Sequence, residues 1–261
     1  MRAWLMLLLT AGMPILPACV VAALAADPGA FLAGATKSCI ECDLAGRDLS
    51  ERDFQRARLD RANLARANLS GSSLFRATLT RADLKGAKLD RANLNLIDAK
   101  GADLAGADLS QALLFEADLS GANLAGANLR GARLGRARLN QANLAGAQLT
   151  GSDLRETRLA GAKLTGADMR SVILDGQNLL EMDLHGIDFT FADMVGANLT
   201  GVDLRDAQLA GVNLFGANLH GADLRGANFE GANLENAILS DALLDGAKFD
   251  AAIMPDGRRA Q

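Results

Sequence analysis

Cys39-Ile40-Glu41-Cys42 places two thiols three positions apart, a spacing shared by zinc sites, redox pairs and structural disulfides. Zinc wants about four ligands, and the other candidates are Cys19, His185 and His220, remote from this motif along the chain. No metal is expected. A thioredoxin-like pair needs its first cysteine at a helix N-terminus, whereas Cys42 leads into the extended stretch CDLAG. In an exported chain the motif reads as a structural disulfide joining Cys39 to Cys42 and locking an N-terminal cap to the body; two buried thiols are the alternative.

Nucleotide and enzyme chemistry find little footing. No G-x-G-x-x-G lies between a strand and a helix, and no nucleophile, base and orienting residue are recognisable together, so neither a cofactor nor an enzymatic activity is expected. Net charge is −4, too small to announce a nucleic-acid or membrane-surface partner. The charge is unevenly spread. Residues 46–140 hold 16 Lys and Arg against 11 Asp and Glu, and residues 141–261 hold 9 against 17, giving a basic front and an acidic rear. This is either drift along a repetitive chain, or a basis for end-to-end stacking or an anionic partner near the front.

The first residues read as an export signal. MRAWLMLLLTAGMPILP has one arginine and then an apolar run, and Ala23 and Ala25 supply a small-x-small cleavage pattern. Residues 1–25 are therefore assigned as a signal peptide and the mature chain as periplasmic or secreted. Pro14 and Pro17 argue against a membrane span. LPAC loosely resembles a lipoprotein signal that would anchor the chain through a lipidated Cys19, but the VVAALAA that follows is unlike the usual polar linker.

Behind these residues stands an unusually strict period. From Leu44 to Met254 a large apolar residue, here termed position i, recurs every fifth residue without insertion in 43 units, 35 of them Leu; position i−2 is Ala in 30. A helix turns about 100° per residue, so a five-residue period cannot form a stripe. A straight strand would throw successive leucines to opposite faces. What fits is a short extended piece with i−2 and i inward and i−1 outward, then a corner. Position i+2 is Gly in 22 of 42 links, matching the positive φ at the third place of a type II turn. Where that link is Arg56, Arg61, Arg66, Arg76, Arg81 or Arg91, positive φ would be strained and another turn type is expected. Position i−1 is Asp in 15 units and Asn in 12, suited to solvent and to bonding turn amides.

Two departures test the inward assignment. Ile97 and Ala99 exchange the small and large slots, nearly conserving interior volume. Between Met169 and Val202 the small slot holds Val172, Gln177, Met182, Ile187 and Val202; those coils must be wider or distorted, and an inward Gln177 needs a hydrogen-bond partner.

The units ADLKGAKLDRANL, GADLAGADLS and GANLRGARL resemble the pentapeptide-repeat family, whose pattern is A(D/N)LXX. The resemblance implies an all-β, right-handed quadrilateral β-helix with four units per coil, hence ten to eleven coils and a rod about 50 Å long. The organisation is then a cap at 26–41, with Asp27 as N-cap, Pro28 in the first turn and Phe31 and Leu32 over the opening; the β-helix at 42–256; and a polar tail at 257–261. No C-terminal cap is apparent, which leaves an end open for stacking on another copy.

Four-unit coils put Asp43, Asp83, Asp103, Asp183, Asp203 and Asp223 on one face, interrupted by Asn63, Asn123, Asn143 and Lys163. Catalytic carboxylates need a cleft; on a flat face these read as solvated ladder residues. His185 and His220 fall on different faces, neither with a partner. Phe75, Phe115 and Phe215 share one outward column, with Phe191 and Val195 near it, a candidate docking strip. The functional expectation is a non-enzymatic exported scaffold with an unidentified protein partner. The resemblance also implies an alternative, since some members mimic duplex DNA, inhibit DNA gyrase and confer fluoroquinolone resistance.

Overall fold

The computed structural model describes residues 27–260; the segment assigned as an export signal, its expected cleavage site and Cys19 lie outside them. Asp27 caps α1 (Pro28–Leu32), its Oδ1 accepting the Gly29 amide at 2.8 Å, with proline in the first turn where no amide donor is missed. Phe31 is buried and stacks on Phe54 with ring centroids 5.3 Å apart, while the Arg52 guanidinium donates to the Leu32 carbonyl. The cap therefore covers the N-terminal opening as expected.

From there the chain winds as a right-handed quadrilateral β-helix. Each i−1 residue forms a parallel bridge with the residue one coil on: Asp43 with Asn63, Asp48 with Asn68, Asp53 with Ser73, Arg58 with Thr78. Four units thus close one coil, and every side is a ladder running up the rod. The ladder carries amides in both directions, for example Leu44 N to Asn63 O at 2.8 Å and Asn63 N to Cys42 O at 2.8 Å.

It starts one unit before the repeat pattern does. Ser38 bridges Arg58, Cys39 takes the place of a leucine and is fully buried, and Cys42 fills the next small slot. The two cysteines flank one corner of the first coil, with Cα atoms 5.2 Å apart, a separation that suits a disulfide. Such a bridge would tie the segment ahead of the repeat pattern, where Cys39 lies, to the first repeat unit, which Cys42 begins.

The corners require one correction. Every residue at i+2 from Glu41 to Ala251 has positive φ, including Arg56, Arg61, Arg66, Arg76, Arg81 and Arg91 at +56° to +57°. A non-glycine residue pays on the order of 1 kcal/mol there. The conformation is imposed from two directions. The corner amide donates along the axis (Arg56 N to Phe75 O, 2.9 Å), and the next amide closes the turn (Ala57 N to Phe54 O, 3.0 Å). Abandoning the geometry would lose both bonds, so the corners are uniform whichever residue occupies them.

Inside, the leucine and alanine columns are almost wholly buried from Leu44 to Leu234. The Ile97/Ala99 exchange is accommodated, both side chains being buried, with a void of about 10 Å³ beside Ala99. Outside, aspartates and asparagines hold their own turns and each other. Asp43 Oδ1 accepts the Ala45 amide at 3.2 Å and the Asn63 side-chain amide at 2.9 Å, and the pattern recurs at Asp103 and Asn123. At the far end Met254–Arg258 forms a turn that brings Arg259 antiparallel to Ile253. That covers one side only, leaving Ile238, Leu243 and Leu244 exposed.

Leu109 is buried in mid-rod and Asp108 projects outward. Leu109→Asp should abolish the β circular-dichroism signal or the soluble protein, because an unpaired charge would enter the column, whereas Asp108→Ala should cost no more than about 1 kcal/mol in denaturant unfolding. Retention of native β content by Leu109→Asp would overturn the inward assignment.

Candidate functional site

Between the two ends of the described rod, the ladder breaks at one place. In the small-slot columns Gln177 lies directly under Thr157, and Met182 under Ala162. The Gln177 side chain is buried and its amide donates to the Thr157 carbonyl, the acceptor that the Asn178 main-chain amide would use in a regular coil. The inward glutamine thus finds its partner by taking one from the ladder. Met182, too long for a slot sized for alanine, is left half-buried.

The ladder opens in consequence. Among the described residues the bridges Arg158–Asn178 and Lys163–Asp183 are absent, although their neighbours Asp153–Ile173 and Asp168–Asp188 are present. On the upper lip, toward the N-terminus, the amides of Glu156, Leu159, Gly161, Leu164 and Gly166 lack their axial main-chain bonds; on the lower lip those of Asn178, Asp183 and Asp188 lack theirs. The gap follows two adjacent sides around the corner at Gly161 and Glu181, and it is a solvent-open cleft of about 890 Å³, within the ~300–1,000 Å³ range of ligand pockets. Its lining is mainly apolar, and Leu180 at the rim is 46% exposed. Arg158 and Lys163 stand on the upper lip, Glu181 and Asp183 on the lower.

The surroundings are charged but mostly paired. Arg136 bridges Glu156 at 2.9 Å and Glu116 at 3.8 Å along one corner of the rod. Arg155 grips Asp153 at 2.6 Å, and Arg170 binds Asp168 at 2.7 Å, holding that carboxyl down to about 2. Asp175, at the start of the gap, behaves oppositely: burial and then the charge of Asp193 push its carboxyl up, and its Oδ1 is buried without a hydrogen-bond partner.

The other residues singled out by sequence are dispersed. The Asp43 face is assembled as expected up to Lys163, where the cleft interrupts it, and resumes from Asp183 to Asp223. Lys85 sits between Asp103 at 3.1 Å and Asp83 at 3.9 Å. His185 is exposed; His220 does have neighbours, its Nδ1 lying 2.9 Å from Ser240 Oγ and 3.5 Å from Asp241 Oδ2. Phe75, Phe115 and Phe215 occupy one outward column but form no continuous strip. Asn95 separates the first two, and Gly135, Arg155, Asp175 and Val195 separate the second from the third. Arg76 lies over the Phe75 ring and Arg136 over that of Phe115. The sequence marks the widened coils through Gln177 and Met182, but not the opening above them; its signal is Thr157, a second non-alanine residue in the same column one coil earlier.

The family model for Pentapeptide repeats matches overlapping segments that cover 38–170 and 174–250, and the break contains the small slot held by Val172. No curated protein matches the chain. Among solved structures it is similar to HetL, a pentapeptide repeat protein involved in heterocyst differentiation regulation from the cyanobacterium Nostoc sp. strain PCC 7120, at 31% identity over 89% of this chain and 97% of that one, with a TM-score of 0.40. A pentapeptide repeat protein from the Arabidopsis thaliana thylakoid lumen shares 35% identity over 49% of this chain and 68% of its own, TM-score 0.22. QnrB1, a plasmid-mediated fluoroquinolone resistance protein, shares 17% over 77% and 89%, TM-score 0.29. The unbroken five-residue register, the four-sided coil and the family-model match over most of the chain together make it a member of the pentapeptide-repeat family.

Proposed function

We propose that this chain is an exported, non-enzymatic scaffold whose rod surface binds protein. The observation that carries the reading is the division of labour in each unit. Positions i−2 and i are consumed by the interior, and i−1 is largely tied into turn and ladder bonds. The variable i+1 and i+2 side chains are left as a broad, ordered, convex surface suited to contact with a large partner. Export rests on the leader at 1–25, and the pairing of Cys39 with Cys42 suits an oxidising compartment.

The alternative, a DNA-mimicking inhibitor of gyrase, draws on the acidic rear half, net −8 over 141–261. It is opposed by the basic front and by the export signal, which would separate such a protein from its target. Likeness to QnrB1 at 17% identity speaks to the fold alone. The same reading puts self-association at the C-terminal end, where the strands of Ile238, Leu243 and Lys248 make no further bridge among the described residues and Ile238, Leu243 and Leu244 are exposed. Unpaired edges beside apolar side chains favour stacking on another copy.

Intact-mass and N-terminal analysis of the native protein from separated cytoplasmic, periplasmic and membrane fractions should find a chain beginning at Ala26 or Asp27 outside the cytoplasm. A cytoplasmic chain retaining Met1 would overturn export and revive gyrase, to be followed by a supercoiling assay; a lipid on Cys19 would replace soluble export by membrane anchoring. Nonreducing peptide mapping of the exported fraction should recover Cys39 joined to Cys42, and free thiols there would refute the pairing. Light scattering should show concentration-dependent assembly of the purified rod that is lost on combining Leu243→Lys with Leu244→Lys; a wild-type monomer at all concentrations would refute the stacking end.

A further inference from the structure

We propose that the cleft between residues 156–166 and 175–188 is a binding site for an extended polypeptide segment, which enters as an added strand between two coils. The proposal rests on the scaffold reading and gives it a location and a partner chemistry.

The lips define what can fill the gap. The upper lip offers a row of main-chain donors at Glu156, Leu159, Gly161, Leu164 and Gly166, without their axial bonds. The lower lip faces them with the carbonyls of Asn178, Leu180 and Asp183, likewise released from the ladder. An anion could accept from the upper row but would meet the carbonyl row opposite. An apolar molecule would satisfy neither. A polypeptide in extended form carries both donors and acceptors, repeating every ~3.3 Å per residue as each side of the coil does. Running parallel to the coils, it would reproduce for both lips the pattern that the rest of the rod already uses.

The side chains add selectivity. Leu159, Leu164 and Met182 supply an apolar floor, and Leu180 overhangs the rim, so inward positions of the segment should be apolar. Arg158 and Lys163 above and Glu181 and Asp183 below favour a segment bearing charges of both signs, acidic toward the upper lip and basic toward the lower. The opening has an identifiable cause in Gln177 and Met182, and two substitutions should therefore close it while keeping the fold.

The experiment is an NMR titration of the full mature chain with a capped nonapeptide of sequence GANLAGANL, the chain's own Gly121–Leu129, chosen because its Ala and Leu match the slots of a regular coil. A second titration uses the same peptide N-methylated at alternate amides. The expected result is saturable shifts of the Leu159, Gly161 and Leu164 amides, weakened about tenfold or more by N-methylation, since main-chain bonds supply the affinity. The double variant Gln177→Ala with Met182→Ala should retain dispersed amide signals and lose the response. Absence of any shift, equal binding of the N-methylated peptide, or undiminished binding by the double variant would each overturn the proposal. These outcomes are read at one cleft in purified protein, so a failure here leaves the scaffold reading to its own fractionation test.

Discussion

The rod depends on one constraint: each coil must present to the next an unbroken row of main-chain donors and acceptors at the separation of paired strands, about 4.8 Å. Every other regularity serves that spacing. The interior must hold a constant volume per side, so a small slot accompanies each large one, and the Ile97/Ala99 exchange is tolerated because the sum is kept. The corners must turn the chain alike every five residues so that four units close a coil, and each adopts positive φ. The outward aspartates and asparagines secure the turns that make this return reproducible.

The cleft follows from the same constraint. Two oversized side chains in consecutive small slots, Gln177 and Met182, exceed what the interior can hold, and Gln177 takes the Thr157 acceptor for itself. Size alone does not open the ladder. Ile187, Val202 and Val212 also replace alanine, yet all three remain buried and their sides keep a bridge to the coil above, Asp168–Asp188, Asp183–Asp203 and Asp193–Asn213. What distinguishes Gln177 is its ability to compete for a ladder hydrogen bond, with Met182 adding bulk at the next corner. The breach thereby combines the two things a docking site needs, unpaired main chain and apolar surface, on a scaffold otherwise sealed along its length.

Much of the architecture is legible in the residues alone, because a five-residue period excludes helix and straight strand and leaves little but a cornered coil. The cap at Asp27, Pro28 and Phe31, the inward slots, the shared face from Asp43 to Asp223 and the need of Gln177 for a partner can all be read before any coordinates. Three features were less accessible. The arginine corners obey the ladder, not their own preference, since two main-chain bonds outweigh the strain of one residue. The first coil hides its start because Cys39 stands where a leucine would. The cleft requires comparing residues twenty apart, Thr157 with Gln177 and Ala162 with Met182, which a linear reading of single units does not do.

Residue-resolved amide hydrogen exchange on the purified protein tests the ladder account most directly. Exchange at Leu159, Gly161 and Leu164 should be faster, on the order of a hundredfold, than at Leu139, Gln141 and Leu144, which occupy the same columns one coil earlier and make their axial bonds. Equal protection in the two coils would mean that the ladder is continuous through Gln177 and Met182, and would contradict the account.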